Sequence, residues 1–221
     1  MCFNANVSFG ASAVIGAIGV ATLIKAKAPS QYAFAGIPLL FAIQQFVEGV
    51  LWLALKQPDS LITQQIATFV FILIAQVIWP AWVPLSIILL EKEKSRKKTL
   101  LIFLVIGGIL SAFGAYRILF YDVVAQIENH HIRYDFNIGS PIMPFAALFY
   151  ILPTIISPFI SSVKKMILLG TLLVSSLIIS KLFFELYTIS VWCFFAAIIS
   201  SLVFVIISKL NFAPEIKSTS S

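Results

Sequence analysis

Seven stretches of roughly 20 mostly apolar residues follow one another along the chain, each long enough to cross a bilayer core as a helix. Their positions are about 7–24, 33–55, 64–90, 100–121, 141–162, 166–187 and 190–209. With 60% of residues hydrophobic and only 11% charged, they cannot all be hidden in one water-soluble core of this size. The expected fold is therefore all-α: a polytopic membrane protein built as one seven-transmembrane-helix bundle. Residues 211–221 read as a short disordered cytoplasmic tail. The first segment has no basic flank before it and no small-residue cleavage site after it, so it reads as a retained helix.

The loops set the orientation. Lys25 and Lys27, the run "EKEKSRKK", Lys164 and Lys165, and Lys209 follow segments one, three, five and seven. The other side carries little more than Lys56 and Arg133, with Arg117 near the end of segment four. This bias predicts an outside N-terminus and a cytoplasmic C-terminus. It also explains the formal net charge of +6 without a nucleic-acid partner; the expected partner is the lipid bilayer. In segment three, Pro80 and Pro84 predict a kink or an early end to the regular helix. Between segments four and five, "DVVAQIENHHIRYDFNIG" predicts an outer β-hairpin, 123–128 pairing with 131–136 around a two-residue Asn129–His130 turn.

Segments two, four and six run in the same direction, so their ionisable residues fall at one level. Glu48, Arg117, Lys181 and Glu185 form a single expected layer in the outer half. Charges at such depth are costly unless paired or wetted. Lys181 and Glu185 share a helix face at i, i+4, although Glu48 is the alternative partner for Lys181. Gln44 and Trp52 lie one turn either side of Glu48, with Gln45 beside them, and Gln76 faces the same interior. Two readings stand. In one, these groups are a satisfied polar network that fixes helix register. In the other, Gln44, Glu48, Trp52, Arg117, Lys181 and Glu185 line a cavity that binds or senses a small molecule, ion or lipid.

Catalysis is the alternative. A metal-dependent hydrolase or thiol enzyme would draw on Cys2, Glu48 and a histidine, with Cys2, His130 and His131 as candidate metal ligands. Adjacent histidines in a strand point to opposite faces, which weighs against both holding one ion. Cys2 and Cys193 are both expected at the outer surface, where they are able to pair in an oxidising compartment. A small-solute transporter is a third reading, weakened by the lack of an internal repeat. Composition leaves both the cofactor and the oligomeric state unspecified.

The start "MCFNANVSFGASAV" and the segment "IPLLFAIQQFVEGVLWLAL" carry a resemblance. Cys2, Phe3, Phe9, Gln44, Gln45, Glu48, Gly49 and Trp52 match an uncharacterised family of bacterial multi-pass membrane proteins. That family opens with a Met-Cys-Phe-Ser-Ala-like sequence and carries a Gln-Gln-x-x-Glu-Gly-x-x-Trp segment; Asn4 stands here where serine is expected. The resemblance implies an integral protein of a bacterial cytoplasmic membrane and draws attention to Cys2 and Glu48. It implies no activity.

Overall fold

A computed structural model describes residues 4–136 and 148–212. Cys2, the opening of segment five and the end of the tail lie outside the described residues. The chain runs through α1 (Ala5–Lys25), α2 (Pro29–Ala35), α3 (Ile37–Ala54) and α4 (Leu61–Ile72). A π-helical stretch, Leu73–Ile78, then leads into α5 (Trp79–Leu90), followed by α6 (Lys94–Phe120). The hairpin strands are β1 (Val123–Glu128) and β2 (His131–Phe136). After them come α7 (Leu148–Ile160), α8 (Lys165–Phe183), a 3-10 turn at Glu185–Tyr187, α9 (Thr188–Ile199) and α10 (Leu202–Phe212). Taken as α1, α2–α3, α4–α5, α6, α8 and α9–α10, six helical spans are long and apolar enough to cross a membrane; α7 is shorter over its described residues.

The element ends follow from local chemistry. Asn4 caps α1, accepting the Val7 N–H at Oδ1 (3.0 Å), so the residue that departs from the family pattern still supplies a cap. α6 begins at Lys94, so most of the expected basic loop rides on its first turn, as suits good helix formers such as Lys and Arg. α8 stops at Phe183, which leaves Glu185 beyond the helix rather than inside it. The last segment breaks at Ser200, whose hydroxyl bonds back to the Ala197 carbonyl (2.6 Å), and then continues as α10 through Phe212.

Segment three does not end at its prolines; it widens before them. The Trp79 N–H reaches back five residues to Ile74 O. In that register the next carbonyl, Ala75 O, falls to Pro80, which has no N–H. Tyr150 of α7 donates to Ala75 O instead (2.6 Å), and Ser111 of α6 donates to Val77 O (2.6 Å). Gly107 and Gly114 let α6 lie directly on this opened backbone. A Cβ at Gly107 would meet Pro80 O at 2.0 Å, and one at Gly114 would meet Gln76 O at 2.8 Å.

The hairpin forms in the register expected from sequence, Val123 opposite Phe136 through Glu128 opposite His131. Asn129 (φ 46°) and His130 (φ 63°) are both left-handed, as a two-residue turn of the I′ type requires. The hairpin docks on the bundle through stacking of Tyr134 on Phe71 (4.9 Å) and of His131 on Tyr187 (4.8 Å). Two apolar cores result. One gathers Phe34, Ile87, Leu100, Met166 and Ile206 toward the lysine-rich end. The other gathers Leu51, Trp52, Phe71, Ile132 and Tyr134 beneath the hairpin.

At the lysine-rich end, buried Glu91 ties two connections together. Its carboxylate accepts the N–H groups of Lys92 (2.9 Å), Glu93 (3.0 Å) and Ser162 (2.6 Å), and the Ser162 hydroxyl (2.7 Å). Burial opposes the charge, but these donors outweigh it and hold the carboxyl down at about 2. Arg96 reaches across to the carbonyls of Ile160 (2.9 Å) and Ser161 (3.2 Å). Nothing in the sequence reading singled out Glu91; the signal was its place at the end of the apolar run "LSIILLE", one residue past the helix.

Candidate functional site

The expected layer of charge divides into three parts. The first is sealed. Gln44, Gln45 and Glu48 on α3 are each at most 2% exposed. Trp79 Nε1–H donates to Gln44 Oε1 (2.9 Å), and Gln44 Nε2 donates to Cys193 Sγ (3.4 Å). The Ser190 hydroxyl of α9 donates to Glu48 Oε1 (2.5 Å). Trp52 is buried in the hairpin-end core. Cys193, expected at the surface, is buried as a free thiol. Helix α9 brings it there because Ser190 and Cys193 lie one turn apart on the face turned toward α3.

The second part is exposed. Lys181 Nζ donates to Glu185 Oε1 at 3.0 Å, with side chains 61% and 72% exposed. Glu48 is not the partner of Lys181. Because α8 ends at Phe183, the pair spans the helix terminus and the following turn. An ion pair this exposed contributes little.

The third part is Arg117 on α6. Its residue surface is 4% exposed. Its Nη1 donates to Gln76 Oε1 (3.2 Å), and its guanidinium carbon lies 4.1 Å from the Phe136 ring centroid and 5.9 Å from that of Phe113. Among the described residues Nε and Nη2 have no hydrogen-bond partner and no carboxylate pairs with the guanidinium. The sequence between β2 and α7 holds no Asp or Glu either. An arginine cannot shed its proton to escape this situation.

Arg117 lines a partly open cavity of about 580 Å³ bordered by α6, α7, α8, the π-helical stretch, β2, the 3-10 turn and the start of α9. Gln76, Lys181 and Glu185 also line it, whereas Gln44, Glu48 and Trp52 do not. The remaining wall is largely apolar, including Leu110, Phe113, Ile151, Ile155 and Leu177. Tyr134 and Cys193 also line the cavity, and Cys193 accepts from Gln44 of the sealed part. Among the described residues the Tyr134 hydroxyl has no hydrogen-bond partner, and burial pushes its phenol well above the usual range, with Glu48 adding to the effect.

The histidines serve the hairpin. His130 occupies the turn, and His131 packs against Phe184 (5.1 Å) and Tyr187 (4.8 Å), where burial lowers its pKa. Among the described residues no three of His, Cys, Asp and Glu come together as a metal-ligand set. Sequence reasoning missed Ser190, Tyr134 and Trp79 as members of the polar interior. Only the partly polar run "TISVWC" hinted at a face on α9.

Fold and site together define a bundle of helices of membrane-crossing length around a polar interior, with large apolar side chains turned outward. Ile24, Ile62, Leu182 and Phe183 are all more than 70% exposed, a surface that water does not favour. The chain belongs to DUF6629, a family of unknown function whose model matches residues 1–218. No curated protein and no solved structure matches it.

Proposed function

We propose that this is a multi-pass protein of a bacterial cytoplasmic membrane, N-terminus outside, that binds or senses a small molecule, ion or lipid in the Arg117 cavity. The observation that carries this reading is a buried arginine that lines a volume of about 580 Å³ with no carboxylate paired to it among the described residues. A charge left buried and unpaired costs several kcal/mol, and an incoming partner offsets it. The volume lies within the range of small-molecule sites, which combine apolar walls with a few placed polar groups. The orientation rests on the basic residues gathered at the Glu91 end. The Glu48 carboxyl is better read as structure, because it is sealed and accepts from the Ser190 hydroxyl, although Gln45 and Trp52 Nε1 beside it have no hydrogen-bond partner among the described residues.

Native mass spectrometry of the protein, purified with its own lipids, tests the reading. The expected result is a discrete excess mass that is lost in Arg117→Gln and kept in Glu48→Gln. Absence of any excess mass from the wild-type protein, with no saturable binding of added ligands, removes the proposal. Orientation is tested by labelling His130→Cys and Lys97→Cys on intact cells with an impermeant thiol reagent. Labelling of the first alone is expected, and labelling of the second alone reverses the topology.

A further inference from the structure

We infer that the ligand of this cavity is a single-chain amphiphile ending in a carboxylate, seated with its head on Arg117 and its chain along α6, α7 and α8. This rests on the proposal that the cavity binds a ligand, and adds the ligand's chemical class.

The head follows from which guanidinium atoms are free. Nη1 is committed to Gln76, while Nε and Nη2 have no partner among the described residues and are closed off from the cavity, so a head group reaches them only when the side chain turns. Those two N–H groups form one edge of the planar guanidinium and point in parallel. That edge matches the two oxygens of a carboxylate, the bidentate geometry arginine makes best. The charge count agrees. Lys181 and Glu185 neutralise each other at the rim, so Arg117 leaves one net positive charge, which one monoanion balances.

The tail follows from depth. Arg117 lies three residues from the end of α6, beside Phe136 of the hairpin. Leu110 is two turns further along the same helix, about 10 Å deeper at 1.5 Å per residue. On α8, Leu177 sits one turn below Lys181 in the same direction. Ile151 and Ile155 of α7 continue the apolar wall. Polarity therefore falls along one axis of the cavity, from a cationic end under the hairpin to a wholly apolar end. Small compact anions leave that lower volume unfilled, whereas an acyl chain fills it.

Trp192 lines the same cavity and supplies the signal. The protein is placed in nanodiscs of a zwitterionic phospholipid and titrated with dibromostearic acid, whose bromines quench tryptophan. The expected result is saturable quenching that is mostly lost in Trp192→Phe. The methyl ester, with the same chain and no charge, should bind more than about tenfold more weakly, as should the acid in Arg117→Gln. Leu110→Phe, which keeps the charge and narrows the chain's path, should also weaken the acid, so the test survives if Arg117→Gln fails to fold.

Equal quenching by acid and ester, unchanged in Arg117→Gln, makes the cavity a plain apolar groove. That overturns the carboxylate inference and leaves ligand binding standing. Displacement of the acid by acetate or inorganic phosphate at concentrations similar to its own makes the ligand a free anion and overturns the amphiphile. No saturable quenching by any probe, in protein carrying no excess mass, overturns the binding proposal itself.

Discussion

Glu48 and Arg117 are both charged residues buried in an apolar bundle, at 2% and 4% exposure. Their surroundings differ. Glu48 sits against α9, with the Ser190 hydroxyl on its carboxyl, and it does not line the cavity. Arg117 has one amide on one nitrogen and the Phe136 ring centroid 4.1 Å from its guanidinium carbon, and it lines the cavity with no carboxylate partner among the described residues. Burial of charge is therefore not in itself the mark of a site. The mark is burial without satisfaction, next to room for the missing partner. A satisfied group contributes fold specificity, while an unsatisfied one keeps free energy in reserve for binding.

The sharpest way to break this contrast is to truncate both. Glu48→Ala should cost about 3 kcal/mol of stability, since it opens a cavity and orphans Ser190. Arg117→Gln should change stability by less than about 1 kcal/mol, because the unpaired charge leaves together with its ring contacts. Thermal melting of the two variants in one detergent checks this, and equal losses would erase the distinction. Glu91 extends the comparison to the opposite end, as a buried charge satisfied by four donors. Glu91→Gln should cost about 2 kcal/mol at neutral pH. Its carboxyl is held at about 2 against an ordinary 4.5. Its contribution is thus full above about pH 4.5 and is lost as pH falls toward 2. The melting temperatures of wild type and variant should converge over that window and stay apart above it.

A smaller effect is expected from Ser190→Ala. Removing the hydroxyl on Glu48 should cost about 1–2 kcal/mol and leave fatty-acid binding unaltered, as a titration of the variant would show. The smallest is His130→Gly. The left-handed turn position favours glycine, so the hairpin should gain about 0.5–1 kcal/mol, read as slower amide exchange in β1 and β2. If loosening or tightening the hairpin also shifts ligand binding, the hairpin belongs to the cavity's gate and not only to its wall.

The sequence by itself determined the helical class, the apolar spans, the basic end, and the hairpin with its register and turn. Each of these is local: a run of apolar residues, a loop's charge, or alternating β-formers around Asn129–His130 carry their own physical signal. It also marked Glu48, Arg117, Lys181 and Glu185 as residues needing an explanation, because charge inside apolar segments is costly wherever it lies. What it left open was who meets whom. Tertiary packing alone decided that Glu48 faces Ser190 rather than Lys181, and that Lys181 turns to the surface with Glu185. It likewise decided that Cys193 lies inside, that Glu91 clamps two connections, and that two nitrogens of Arg117 are left over. The rotation of a helix about its axis, and the carbonyls released where Pro80 lacks an N–H, depend on what packs against them. Side-chain partnership across helices is a property of the assembled bundle, and no single segment encodes it.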